Sequence, residues 1–258
     1  MQRARRTAVL AVLTLAGVLA LTGCRSEPGV AIYIGDTRYS QERVDGLANQ
    51  FTDVVGAPPA TSRQQVVSWI VASEVGKRMA AEEKWQTPPV DLAAASQQFE
   101  QVLLRQAGVD PAAVAQGQQV DPALTKEVAE KVQALRPLVE LYAQSVTYGQ
   151  LVQERATPAQ PTEADYADLY ERAKAAGATK PGQTLAEYRQ DFGEQNEQLF
   201  AATIGMRNMY VEAIKRANVA VNPRYGPAEL ALLSNGPDRP LVVVPLDAKG
   251  NSAPVRNG

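Results

Sequence analysis

Between Ser40 and Arg216 apolar side chains recur three or four positions apart, the spacing that gathers them on one face of a helix. Ser40 is a natural N-cap for a first helix through about Phe51, with Val44, Leu47 and Phe51 in period, and Gly56-Ala57-Pro58-Pro59 breaks it. Thr61 or Ser62 caps the next, over residues 63–85, whose stripe is Val67, Ile70, Val71, Val75 and Met79. Trp69 and Trp85 stand off that stripe or at its end, and Thr87-Pro88-Pro89 closes the helix. Residues 91–107 repeat the pattern through Phe99, Val102, Leu103 and Gln106.

Asp110-Pro111 and Asp121-Pro122 each combine a capping carboxylate with proline at the first helical position. The second opens a stretch to about Arg155, in period through Leu124, Val128, Val132, Leu135, Leu138 and Val139. Pro137 lacks an N–H and clashes with the preceding turn, so a kink or break is expected there. After the linker Ala156–Pro161, Thr162-Glu163-Ala164-Asp165 reads as a capping box for a helix to Ala175. Gly177 to Gln183 is a short loop. Thr184-Leu185-Ala186-Glu187 is a second capping box, opening a helix of about thirty residues to Arg216.

The flanks follow other patterns. Val30 to Ile34 is apolar and β-branched and reads as a strand, Gly35-Asp36-Thr37 as a turn, and Asn218 to Val221 as a second short strand. From Pro223 onward proline, glycine and asparagine dominate around one apolar run, Leu241–Val244, and the tail after Gly226 could bind a partner, though the default for such a composition is disorder. At the start, Arg3, Arg5 and Arg6 precede a charge-free run from Ala8 to Leu21, the n-region and h-region of a secretory signal. That run is shorter than the roughly 20 apolar residues a bilayer-spanning helix needs.

Leu21-Thr22-Gly23-Cys24 follows it and holds the only cysteine in the chain. The sequence resembles the lipobox of bacterial lipoproteins, which implies diacylglycerol on the Cys24 sulfur and cleavage just before it. Two acyl chains suffice for stable attachment to a membrane. The implied location is the extracytoplasmic face of the bacterial cell membrane.

Composition narrows the chemistry. Without residues 1–23 the chain carries 23 basic and 28 acidic side chains, with no basic cluster, so nucleic acid is not an expected partner. There is no histidine, hence no Ser-His or Cys-His nucleophile pair and no imidazole metal site. No glycine-rich phosphate loop or acidic calcium loop is present. Glu82-Glu83 and Glu163/Asp165 could serve as acid and base, but capping and solvated helix faces explain them more simply. No catalytic residue, cofactor or metal is therefore assigned. Trp69, Trp85, Tyr142 and Tyr148 could line a binding groove or pack in the core, and Arg224-Tyr225 could recognise a partner or lock the domain edge.

Three segments in order resemble the extracytoplasmic chaperones of the SurA type: "VAIYIGDTRYSQERVDGL" (Val30–Leu47), "PTEADYADLYERA" (Pro161–Ala173) and "AIKRANVAVNPRYG" (Ala213–Gly226). The resemblance covers residues 30–226. It implies a mainly α fold, a multi-helix SurA-like chaperone core in which Ala31–Ile34 and Val219–Val221 pair as a small two-stranded sheet. Catalytic relatives carry a parvulin isomerase module of about 90 residues between the last two segments. Only Gly177–Gln183 separates the two helices here, so that module is missing.

The expected organisation is a signal peptide over residues 1–23, a lipidated tether over 24–29, a helical core over 30–222 and a Pro/Gly-rich tail over 223–258. The expected function is a lipid-anchored, non-enzymatic holdase for unfolded or exported polypeptides. Two rivals are an envelope scaffold with one protein partner and a carrier of a small ligand or lipid, which needs a closed cavity. The sequence sets no oligomeric state.

Overall fold

β1 (Val30–Ile34) is the middle strand of a three-stranded antiparallel sheet in the computed structural model, which describes residues 27–117, 119–236 and 239–247. Cys24 and the signal segment lie outside the described residues. Ala31 to Ile34 are buried, as a continuous apolar strand requires. Gly35, at φ 58°, turns the chain back into β2 (Thr37–Ser40), with Ile34 opposite Thr37. On the other side β3 (Ala220–Val221) sets Val221 against Ile32 and Ala220 against Tyr33. The expected union of the two ends is therefore present. The sheet has a third strand that was not expected, because the turn at Gly35 is tight enough for Thr37–Ser40 to pair back on β1.

Ser40 caps α1 (Gln41–Val55), its hydroxyl accepting from the Arg43 N–H at 3.2 Å. α2 (Pro59–Glu82) begins earlier than expected, with Pro59 at its first position. Thr61 and Ser62 are not its cap: Ser62 is buried and accepts a hydrogen bond from the Thr52 hydroxyl of α1 at 2.8 Å. Asp91, Asp110 and Asp121 cap α3 (Leu92–Gln106), α4 (Pro111–Ala115) and α5 (Pro122–Ala134). The chain breaks at Leu135, and Pro137 falls in the first turn of α6 (Arg136–Arg155), where its missing N–H costs nothing.

Both expected capping boxes form, Thr162 with Asp165 ahead of α7 (Glu163–Ala175) and Thr184 with Glu187 ahead of α8 (Leu185–Arg216). The reading of α8 as one unbroken helix needs correction. Gly193 stands at φ 73° and ψ 159°, a conformation open essentially to glycine alone, and divides α8 into two rods.

The main core joins the sheet to α2 and α6 through Ile32, Val66, Ile70, Val75, Leu138 and Val152. At the crossing of α2 and α6 a side chain on Gly76 would meet the Tyr148 Cβ at 2.7 Å, so glycine sets how closely the helices approach. A smaller cluster of Tyr166, Leu169, Phe200, Ile204 and Val242 holds α7 and α8 together.

The segment after Gly226, whose composition alone reads as disorder, is ordered over residues 227–236 and 239–247. Pro223–Tyr225 forms a 3-10 turn, and β4 (Glu229–Ser234) and β5 (Pro240–Pro245) form an antiparallel hairpin. Val242, Val243, Val244 and Leu246 are buried. The apolar run 241–244 has a partner in Leu230–Leu233, and together they cover α7 and α8, which outweighs the composition. No helix among the described residues is long and apolar enough to cross a membrane.

Candidate functional site

Two helical stripes, side by side on the packed pair α2 and α6, line an open groove of about 740 Å³. On α2 the stripe is Thr61, Gln64, Gln65, Ser68, Trp69 and Ala72. On α6 it is Tyr142, Ser145, Val146, Gly149, Gln150 and Gln153, which repeats the same spacing. Each lies one step round the helix from residues that fill the core, so burying the core faces presents these two. Met206 and Tyr210 of α8 also line the groove. The opposite wall is the hairpin: Glu229 to Leu232 and Ser234 of β4, with Pro240 and Val243 of β5.

The groove is amphipathic and nearly uncharged. Amides and hydroxyls alternate with Trp69, Tyr142, Val146 and Met206. Among the described residues, only Glu229 and Arg239 of its lining carry charge. Glu229 is tied back to the Arg172 guanidinium of α7 at 3.2 Å, and Arg172 also holds Asp168 at 3.2 Å. Burial pushes the Tyr210 phenol far above its ordinary range, so it stays neutral.

Trp69 and Tyr142 are held rigidly by other rings. Phe51 meets Trp69 edge-on at 4.9 Å, Trp69 meets Tyr142 at 5.2 Å, and Tyr142 meets Phe99 at 5.7 Å. This chain of T-shaped contacts has the two groove residues in its middle and Phe51 and Phe99 at its ends, each contact adding about 0.5–1.5 kcal/mol beyond area burial. Of the four candidate aromatics, these two reach the groove. Tyr148 instead packs on Gly76, and Trp85 is half-buried against the main core.

The other candidates serve the framework. Glu82 pairs with Arg216 at 3.4 Å and Glu163 with Arg189 at 2.6 Å. Asp165 completes its capping box and binds Arg207 at 2.6 Å. Burial opposes ionisation of Asp165, but the Thr162 N–H and hydroxyl and the Arg207 guanidinium together hold its carboxyl below the usual range.

Arg224 and Tyr225 converge on one carboxylate. Arg224 reaches Asp45 of α1 at 3.0 Å, the Tyr225 hydroxyl donates to Asp45 at 3.3 Å, and Arg63 of α2 approaches it at 3.5 Å. Burial and the Asp45 charge push the Tyr225 phenol up to about 12. The cluster fastens the turn after β3 to α1 and α2, and it is a lock.

No group of three or more ligand-type side chains that could hold a metal occurs among the described residues. The groove offers amides, hydroxyls, a thioether and rings, with Glu229 and Arg239 as its charged members. Sequence reasoning missed the hairpin wall altogether. The signal was present, since Asn235-Gly236 follows one apolar run and precedes another. Compared with family models, with curated proteins and with solved structures, the chain matches none.

Proposed function

We propose that this chain is a lipid-anchored, extracytoplasmic holdase of the SurA-like kind. It binds extended segments of unfolded or exported polypeptides and performs no catalysis. One observation carries the reading: an open groove, nearly free of charge, runs between two helices and a hairpin and is lined by alternating amides and apolar side chains.

An extended polypeptide offers such a groove backbone donors and acceptors on its edges and side chains on its faces. Gln64, Gln65, Gln150 and Gln153 supply amides that both donate and accept, and so do not select a sequence. Trp69, Tyr142, Val146 and Met206 take up apolar side chains, with the flexible thioether adapting to their shape. A small-ligand carrier is less well supported, because its ligand needs enclosure and this groove is not a closed cavity.

In the proposed arrangement acylated Cys24 holds the groove at the membrane surface, where exported chains emerge. The test uses the full chain reconstituted in phospholipid vesicles and mixed with a chemically unfolded client. Turbidity should fall as the chain reaches several-fold molar excess. Aggregation that proceeds unchanged for every client tried overturns the reading.

A further inference from the structure

The hairpin's two outer edges are not alike. β5 begins and ends on proline, Pro240 and Pro245, and packs against α7 and α8. Proline has no N–H to offer a further strand, so that edge is blunted. β4 contains no proline and no lysine, and its only charged residue, Glu229, is held by Arg172. Among the described residues no strand other than β5 pairs with it.

The register gives the direction of its backbone groups. The Leu246 N–H donates to the Ala228 carbonyl at 2.9 Å, just before the pairs Glu229–Pro245, Leu230–Val244 and Ala231–Val243. Antiparallel pairs alternate between hydrogen-bonded and non-hydrogen-bonded. That places the N–H and C=O of Leu230 toward β5, and those of Glu229 and Ala231 toward the outer edge. Pro245, which has no N–H, falls in a non-hydrogen-bonded pair, as this assignment requires.

The outer edge of β4 borders the groove. Glu229, Leu230 and Ala231, successive residues of both alternations ahead of the register shift between Ala231 and Leu233, line it beside Val243 of β5, as expected where a groove reaches a strand's edge. The α2 and α6 stripes stand across from it.

We infer that β4 is the docking strand of the groove, and that an extended, uncharged polypeptide segment binds by adding to its regular Glu229–Ala231 edge as a third strand. This rests on the holdase reading and specifies how the client is held. The backbone of Glu229 and Ala231 provides the sequence-independent contacts. The amides of α2 and α6 meet the segment's other edge, and a lining whose only charges among the described residues are Glu229, already paired with Arg172, and Arg239 offers little to offset the desolvation of a charged segment. A second copy of this chain is a poorer occupant, because its own β4 carries a helical wall alongside, whereas a bare strand does not.

The experiment uses the full chain and a fluorescein-labelled, end-blocked ten-residue peptide of valine, threonine and serine. Fluorescence anisotropy measures affinity for the native chain and for Ala231→Pro, which removes an outward N–H while leaving the β4–β5 bonds. Strand addition predicts at least about tenfold weaker binding, the loss of one or two backbone hydrogen bonds and the fit around them. In the native chain, hydrogen exchange of the Glu229 and Ala231 amides should slow at least about tenfold when the peptide is bound. That measurement decides the matter even if Ala231→Pro does not fold. Unchanged affinity in a folded Ala231→Pro, unchanged exchange with peptide bound, or no peptide binding each overturns the docking strand. If the native chain still suppresses aggregation in vesicles, the holdase reading survives that failure; if it does not, both fall.

Discussion

Ile32 in β1 stands opposite Val221 in β3, so residues 189 positions apart share one antiparallel pair. Helices α1 to α8 are thereby enclosed in the sequence between two strands that meet. Asn222 reinforces the closure, its N–H donating to the Ala31 carbonyl at 2.8 Å and its side-chain amide to the Val30 carbonyl at 3.1 Å. Both paired side chains are buried.

Ile32→Ala should therefore cost about 2–5 kcal/mol, since the sheet centre cannot collapse onto the missing methyl groups. A urea titration followed by circular dichroism will show a lower midpoint. A shift smaller than that of an exposed alanine control contradicts the central role of the pair.

Two glycines make opposite forecasts. A Cβ on Gly205 of α8 would lie 2.1 Å from the Thr157 carbonyl oxygen, a backbone atom that cannot swing aside. Gly205→Ala should destabilise by about 1–3 kcal/mol as the linker before α7 is pushed off. Gly46, inside α1, has nothing within 4 Å of that position. Gly46→Ala should stabilise by about 0.5–1 kcal/mol through helix propensity alone. Thermal unfolding of the pair checks both signs at once.

Asp165 links stability to pH. Its folded-state carboxyl titrates below the unfolded range, so its contribution is fully present above the unfolded pKa of about 3.9 and is lost as pH falls through the lower folded value. Asp165→Asn should destabilise by about 1–3 kcal/mol at neutral pH, through the weakened cap and the unpaired Arg207. The deficit should shrink in acid. Denaturant midpoints measured from pH 7 down to pH 3 test this, and a pH-independent deficit contradicts it.

Cys24→Ser tests the proposed anchor. Without a sulfur no thioether forms, and the chain should leave the membrane fraction. Equal sedimentation of variant and native chain with membranes rules the anchor out.

The local chemistry of helix starts was legible in the sequence. Ser40, Asp110, Asp121, Thr162 and Thr184 each cap where their side chains dictate, because a cap depends on only three or four neighbouring residues. The hairpin was legible only at its turn, Asn235-Gly236, because Glu229–Ser234 is rich in leucine and alanine and lacks the β-branched residues that mark a strand. Its strand state depends on β5 and the helices beneath. The groove was hidden for a related reason. Gln64 and Gln150 read singly as solvated helix positions, and nothing within either helix announces that a wall stands opposite.

Gly193 has a further consequence for the α7–α8 lobe. Eight residues of straight helix would separate Phe192 from Phe200 by roughly 12 Å along the axis. Their ring centroids are 5.8 Å apart, and Tyr166 lies against them at 6.4 and 5.2 Å respectively. The elbow at Gly193 thus brings the two phenylalanine rings within reach of each other and of Tyr166. The lobe is built as a hook closed around one tyrosine, and a residue that straightened the shaft would leave that tyrosine with nothing to clasp it.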